Sequence, residues 1–357
     1  MHPIDRRGVL KGACAFGTAL AAAALHRPAF ALAASTRVDT IPASEVRILT
    51  TDVHGPEGPS ELPDGSVAMV EFTVGDIIRV SPQGVRDVLA KPGVGVAGTA
   101  LGHDNALYVA KMNLSSFMRR PPGGAAPGSS PPAGPPPPGG AADGGQGGSM
   151  PAADSSPSAV VRIDLATKES KLLYSTYEGK ELGGPNDFAV DAWGDLWFSD
   201  VPGAGVFNAR TDGSHLERMI SEVPGVNGLA LSPDKKTLYL WTAGKLLSYR
   251  IKGRGQLESG HGKPHARKFA DWPAGIHEPD GMKMEAGGNL LCACWEDGLL
   301  VFSPQGELLS QTKVQDLSVI NAAFGGKDLK TLYLAAHPAN NMVGVLAAIA
   351  WPRAGLR

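Results

Sequence analysis

Helical periodicity is nearly absent from this chain. In its place, short apolar runs bounded by Gly, Pro, Asp and Ser recur from one end to the other. Runs of that length between turn-forming residues predict strands, so the chain reads as all-β. The strands also repeat. Six units of turn plus strand can be stacked: PDGSVAMV from Pro63, HDNALYVA from His103, AWGDLWFS from Ala192, PDKKTLYL from Pro233, AGGNLLCA from Ala286 and GKDLKTLYLA from Gly326. Several continue into a second strand and turn, as in GDIIRVSPQG (75–84) and DGLLVFSPQG (297–306).

Aligned on the Leu or Val of each strand and counted back ten or eleven residues, the units share one position, occupied by Glu57, Ala97, Asn186, Asn227, Asp280 and Asn321. The successive spacings are 40, 89, 41, 53 and 41, and the second falls to 51 when a foreign segment, 121–158, is removed. Those 38 residues hold 10 Gly and 11 Pro with no aromatic or β-branched residue. They cannot bury enough apolar surface to offset the entropy of ordering, and they predict a disordered surface loop. Without this insert and the first 33 residues, about 48 residues remain for each of six units, the size of a four-stranded propeller blade. The expected fold is a six-bladed β-propeller spanning 34–357.

In a propeller the innermost strand of every blade starts beside the central channel, so the shared position converges on one axis. Five of its six occupants carry a side-chain oxygen. Carboxylates and amides gathered there would repel one another and lose hydration unless a cation neutralised them. Glu57 and Asp280 supply two negative charges, which match a divalent ion. An all-oxygen set without Cys or His favours Ca²⁺, with Mg²⁺ next and Zn²⁺ the least suited of the divalent candidates. Taken singly, each Asn or Asp is also an ordinary turn former ahead of a strand.

The motifs GPEGPSELPDG (55–65), GPNDFAVDAWGDLWFSD (184–200), VNGLALSPDKKTLYL (226–240), EPDGMKMEAGGNLLCACW (278–295) and INAAFGGKDLKTLYL (320–334) together resemble the gluconolactonase and regucalcin (senescence marker protein) family. The resemblance implies a divalent ion in the channel held by Glu57, Asn186, Asn227 and Asp280. It also implies hydrolysis of lactones, with the ion polarising the carbonyl, Asp280 accepting a proton from the attacking water and Asn186 orienting the substrate. Two positions depart from the family pattern: Gly184 replaces an Arg that helps hold the sugar, and Val226 replaces a Pro. A smaller or less hydroxylated lactone is expected. Two alternatives remain beside it, a phosphotriester or other ester hydrolase on the same site and a non-catalytic propeller tied together by calcium. His277 and His54 lie close enough to the site residues in sequence to reach the channel mouth, though a hydrogen-bonded loop role suits both.

The N-terminus, DRRGVLKGACAFGTALAAAALHRPAFALAA, places Arg6 and Arg7 before a modest apolar stretch and a small-x-small site ending at Ala33. This is the pattern of a twin-arginine signal peptide, 1–33, and predicts export by that machinery to a periplasmic or secreted location with no membrane span after cleavage. Cys292 and Cys294 lie two apart on one strand face, a spacing that closes a disulfide poorly, so two free buried thiols are expected. With 33 basic against 35 acidic residues and no basic cluster, a nucleic-acid partner is excluded and a small-molecule lactone or ester fits.

Overall fold

The computed structural model describes residues 38–114, 156–338, 341 and 343–356. The expected signal peptide and all of the insert up to residue 155 lie outside them. The described strands form six blades, each built on four antiparallel strands, beside two small two-stranded hairpins, and each predicted unit is the turn and second strand of one blade. The inner strands are Pro56–Glu61, Val96–Leu101, Pro185–Val190, Leu229–Leu231, Met282–Met284 and Ser318–Gly325. Their partners are Val67–Glu71, Ala106–Lys111, Leu196–Asp200, Thr237–Thr242, Leu290–Ala293 and Thr331–His337. The fold is a six-bladed β-propeller.

The hairpin turn in each unit has the same geometry. Gly65, Asn105, Gly194, Lys235, Gly288 and Leu329 all adopt positive φ. Each also donates its backbone N–H to the carbonyl three residues earlier, at 2.8 to 3.2 Å. Gly and Asn suit this left-handed position, whereas Lys235 and Leu329 hold it against their own preference because the flanking strands fix the turn.

The strands read as nearly continuous apolar runs because both faces of every sheet are covered. In the first blade, Val67 and Met69 pack toward the sixth blade while Ala68 and Val70 pack toward the second. Six such clusters, one between each pair of neighbouring blades, make up the core. Each fully buried Val, Leu or Ile in them contributes about 1.5–3 kcal/mol. Cys292 and Cys294 are free and buried in the cluster between blades four and five, as expected.

Closure of the ring comes from the N-terminal side of the domain. Arg47–His54 pairs with Val343–Ala350 as the outer strand of the sixth blade, so one sheet contains both ends of the domain. Val38–Ile41 adds a parallel fifth strand to Leu308–Val314 on the fifth blade. In the chain the insert falls between Ala106–Lys111 and Ala159–Asp164 of the second blade. Its predicted C-terminal boundary runs too far: Ser158 is fully buried, and its hydroxyl accepts from Asn113 N (2.9 Å) and donates to Gly183 O (3.2 Å).

Candidate active site

The site depends on how closely the inner strands approach the axis. Four of them break register near their start, between Glu57 and Ser60, Val96 and Thr99, Pro185 and Phe188, and Val319 and Asn321. A bulge of this kind re-aims a side chain out of the ladder. In the fourth and fifth blades the strand starts only at Leu229 and Met282, so Asn227 and Asp280 precede it.

Behind these positions lies a layer of small residues. A Cβ on Gly58, Gly98, Gly228 or Gly281 would come within 2.6 Å of Ala97 O, 2.3 Å of Asn186 O, 2.3 Å of Asp280 O and 2.1 Å of Asn321 Oδ1 respectively. Glycine lets each inner strand touch the next, and this contact draws the side chains ahead of it into one place.

Glu57, Asn186, Asn227 and Asp280, predicted from sequence to share a site, line one cavity of about 200 Å³. Ala97 of the second blade also lines it and brings no polar atom. Asn227 Nδ2 donates to Asp280 Oδ1 at 2.7 Å. Glu57 Oε2 accepts from Asn321 Nδ2 at 3.1 Å and from the N–H of Gly58. The repeat alignment made Asn321 equivalent to the cavity residues, but the bulge beside it turns its amide onto Glu57, and Ile320 lines the cavity in its place.

Burial pushes the Glu57 carboxyl up to about 7, with the nearby Asp187 carboxylate adding to the shift against hydrogen bonds from Gly58 and Asn321. Asp280 is raised well above its ordinary value, first by burial and then by Glu57 and Asp187. Asp187, which follows Asn186, is 1% exposed and pairs with Lys283 Nζ at 3.5 Å. Ionising all three carboxyls against one ammonium would place two excess negative charges in a dry layer, which is why Glu57 and Asp280 hold their protons above the ordinary range.

These residues fit a divalent cation. Besides these two crowded carboxyls, Asn227 Oδ1 is buried without a hydrogen-bond partner among the described residues, which is costly unless a donor or a cation meets its lone pairs. Among the described residues no group of three or more His, Cys, Asp or Glu is placed to bind a metal, so a site here would mix carboxylate and amide oxygens. That donor set suits Ca²⁺ rather than Zn²⁺.

Sequence reasoning placed two histidines near the mouth, and neither lines the cavity. His277 Nδ1 bonds Asp297 Oδ2 at 2.7 Å, and His54 is exposed on the outer strand of the sixth blade. The residue missed was His337, at the end of Thr331–His337, which lines the cavity at 5% exposure. Trp295 was missed as well; it lines the wall with its backbone at φ 54, held there by a two-way bridge to Val319. A bulky residue at positive φ is strained, and such strain clusters at functional sites. Neither residue belongs to the repeated position, so stacking the units gave no signal for them.

The sequence from residue 55 to 337 matches the model of the SMP-30/gluconolactonase/LRE-like region. The chain belongs to this family. Over 222 residues it is 31% identical to a gluconolactonase of Zymomonas mobilis, a match covering 56% of this chain. Over 206 residues it is 29% identical to a 6-deoxy-6-sulfogluconolactonase of Pseudomonas putida, again 56% of this chain. The chain spans 60% of the length of the first and 68% of the second. Its fold is similar to that of regucalcin, a calcium-binding protein of Agrobacterium tumefaciens, with a TM-score of 0.65 at 17% identity over 89% of this chain and 97% of that one.

Proposed function

We propose that this protein is a metal-dependent lactone hydrolase working from the cavity at the start of the inner strands. The observation that carries the proposal is the convergence of Glu57, Asn186, Asn227 and Asp280 from four blades on one cavity, with two buried carboxyls crowded together and an orphaned amide oxygen. Membership of the family and similarity to named lactonases support it.

In this reading the four side chains hold Ca²⁺ or another divalent ion. A bound cation supplies the Lewis acid that polarises a lactone carbonyl and offsets oxyanion charge, and its own charge returns the two raised carboxyls to the ionised form. Asn227 Nδ2 donates to Asp280 Oδ1 and fixes the carboxylate in an orientation to take a proton. Water adds to the carbonyl carbon as its proton passes to Asp280. The ring C–O bond then breaks, and the departing oxygen recovers that proton, leaving a hydroxy acid. The half-buried Asn186 side chain, on the same wall, orients the substrate carbonyl.

The test is hydrolysis of a panel of lactones, carboxyl esters and phosphotriesters by protein stripped with EDTA and by protein reloaded with Ca²⁺, Mg²⁺ or Zn²⁺. Lactone turnover restored by metal supports the reading. No turnover of any substrate by metal-loaded protein replaces it with a binding propeller. We also propose export through the twin-arginine route on the strength of Arg6, Arg7 and the site at Ala33. Replacing both arginines with lysine should retain the precursor in the cytoplasm, and normal export of that form would refute the assignment.

A further inference from the structure

Apart from the four oxygen-bearing residues, the wall of the cavity is largely apolar. Phe72, Met112, Val201 and Ile320 supply most of it. Gly184 is buried where the family pattern has an Arg, and a Cβ on it would already stand 3.0 Å from Pro202 Cδ and 3.1 Å from Met112 Cβ. Among the described residues no cationic side chain lines the cavity, and Met112 fills the space beside Gly184.

Apart from the four site residues, the hydrogen-bonding side chains on this wall are Trp295 and His337. The rings of the two meet edge to face, with centroids 5.9 Å apart. His337 Nδ1 lies 2.8 Å from Pro338 O, a pure acceptor, so that nitrogen carries the proton. In the neutral imidazole Nε2 then presents a lone pair. It is buried and has no partner, an arrangement that costs stability unless a ligand supplies a donor.

Volume does not distinguish between lactones, since about 200 Å³ is roughly seven water volumes and admits a six-membered ring with a short arm. Polarity does. A polyhydroxylated ring would press several hydroxyls against Phe72, Met112, Val201 and Ile320, and each one left unpaired costs about tenfold in binding.

Resting on the lactonase reading above, we infer that the substrate is a small lactone with an aliphatic arm and a single hydrogen-bond donor, the arm lying against Phe72, Met112 and Trp295 and the donor bonding His337 Nε2. His337 is then a specificity-determining residue rather than part of the proton transfer.

The wild-type, calcium-loaded protein tests this without any variant. Its kcat/KM should be at least a hundredfold higher for γ- and δ-lactones bearing an alkyl or hydroxyalkyl arm than for glucono-δ-lactone. Equal or better use of glucono-δ-lactone overturns the inference and leaves the lactonase reading standing; turnover of neither class overturns both. His337→Phe should cost a hydroxyalkyl lactone about tenfold more in kcat/KM than the alkyl lactone of the same length. An equal loss on both would remove the histidine from the role assigned to it.

Discussion

The same six inner strands line two cavities, and the two are opposite in character. The first residues of each strand, or those just ahead of it, enclose the 200 Å³ cavity of Glu57, Asn186, Asn227 and Asp280. Two or three residues further on, the strands line a larger cavity of about 360 Å³ with Ala100, Phe188, Leu229, Met282 and Phe324. Between them lies the glycine layer and the Asp187–Lys283 pair. The larger cavity contains Lys235, whose pKa burial lowers and which forms no ion pair among the described residues, together with Lys283 and a single acid, Glu61, so no two acids meet there. Chemistry sits where like charges are forced together and left short of partners, because only a bound group makes that arrangement affordable.

Breaking the charged end should have the largest effects. Asp280→Asn exchanges the proton acceptor for an amide of nearly the same volume, and turnover at saturating Ca²⁺ should fall about a hundredfold or more while the circular dichroism spectrum is unchanged. Retained turnover would remove Asp280 from the proton transfer. Next is the layer between the cavities. In Gly228→Ala the new Cβ would meet Asp280 O at 2.3 Å, so the strands must part. We expect a loss of about 2–4 kcal/mol in chemical denaturation together with weaker calcium binding. A variant as stable as wild type would show that close strand approach is not what assembles the site.

Metal removal should come third. EDTA should lower the melting temperature and Ca²⁺ restore it, by about 2.7 kcal/mol at a hundredfold excess over Kd, and Glu57→Gln should abolish the response. The size of that response should depend on pH in a defined direction. Glu57 in the metal-free fold is raised from 4.5 to about 7, so its protonated form is the favoured one in the native state. Its contribution is complete below about pH 4.5 and is lost as pH rises through 7. Metal-free protein should therefore melt lower at pH 8 than at pH 5.5, and the calcium-induced gain should be larger at pH 8. A gain that shrinks with rising pH would contradict the buried-carboxylate account. In the larger cavity, Lys235→Met should change turnover and calcium response less than twofold, and a larger loss would make that cavity part of the site.

Much of this contrast was legible before any coordinates. The propeller showed in the sequence because every blade repeats one hairpin with a left-handed turn residue, from Gly65 to Leu329, at a fixed distance from the channel. Glu57, Asn186, Asn227 and Asp280 followed from that period. Asn321 did not, because the register shift beside it moves the side chain by one layer, and a bulge has no signature in a period-two pattern. His337 and Trp295 reach the cavity from a strand end and a strained loop, positions set by tertiary packing alone. Ser158 was assigned to the insert on composition, whereas its two hydroxyl bonds make it the point where the chain re-enters the second blade.

The most direct test of the central claim is a crystal structure of the protein grown with Ca²⁺. It should show one ion in the smaller cavity, with an oxygen from each of Glu57, Asn186, Asn227 and Asp280 at about 2.3–2.6 Å. An ion bound elsewhere, or a cavity that holds only water at millimolar calcium, would contradict it.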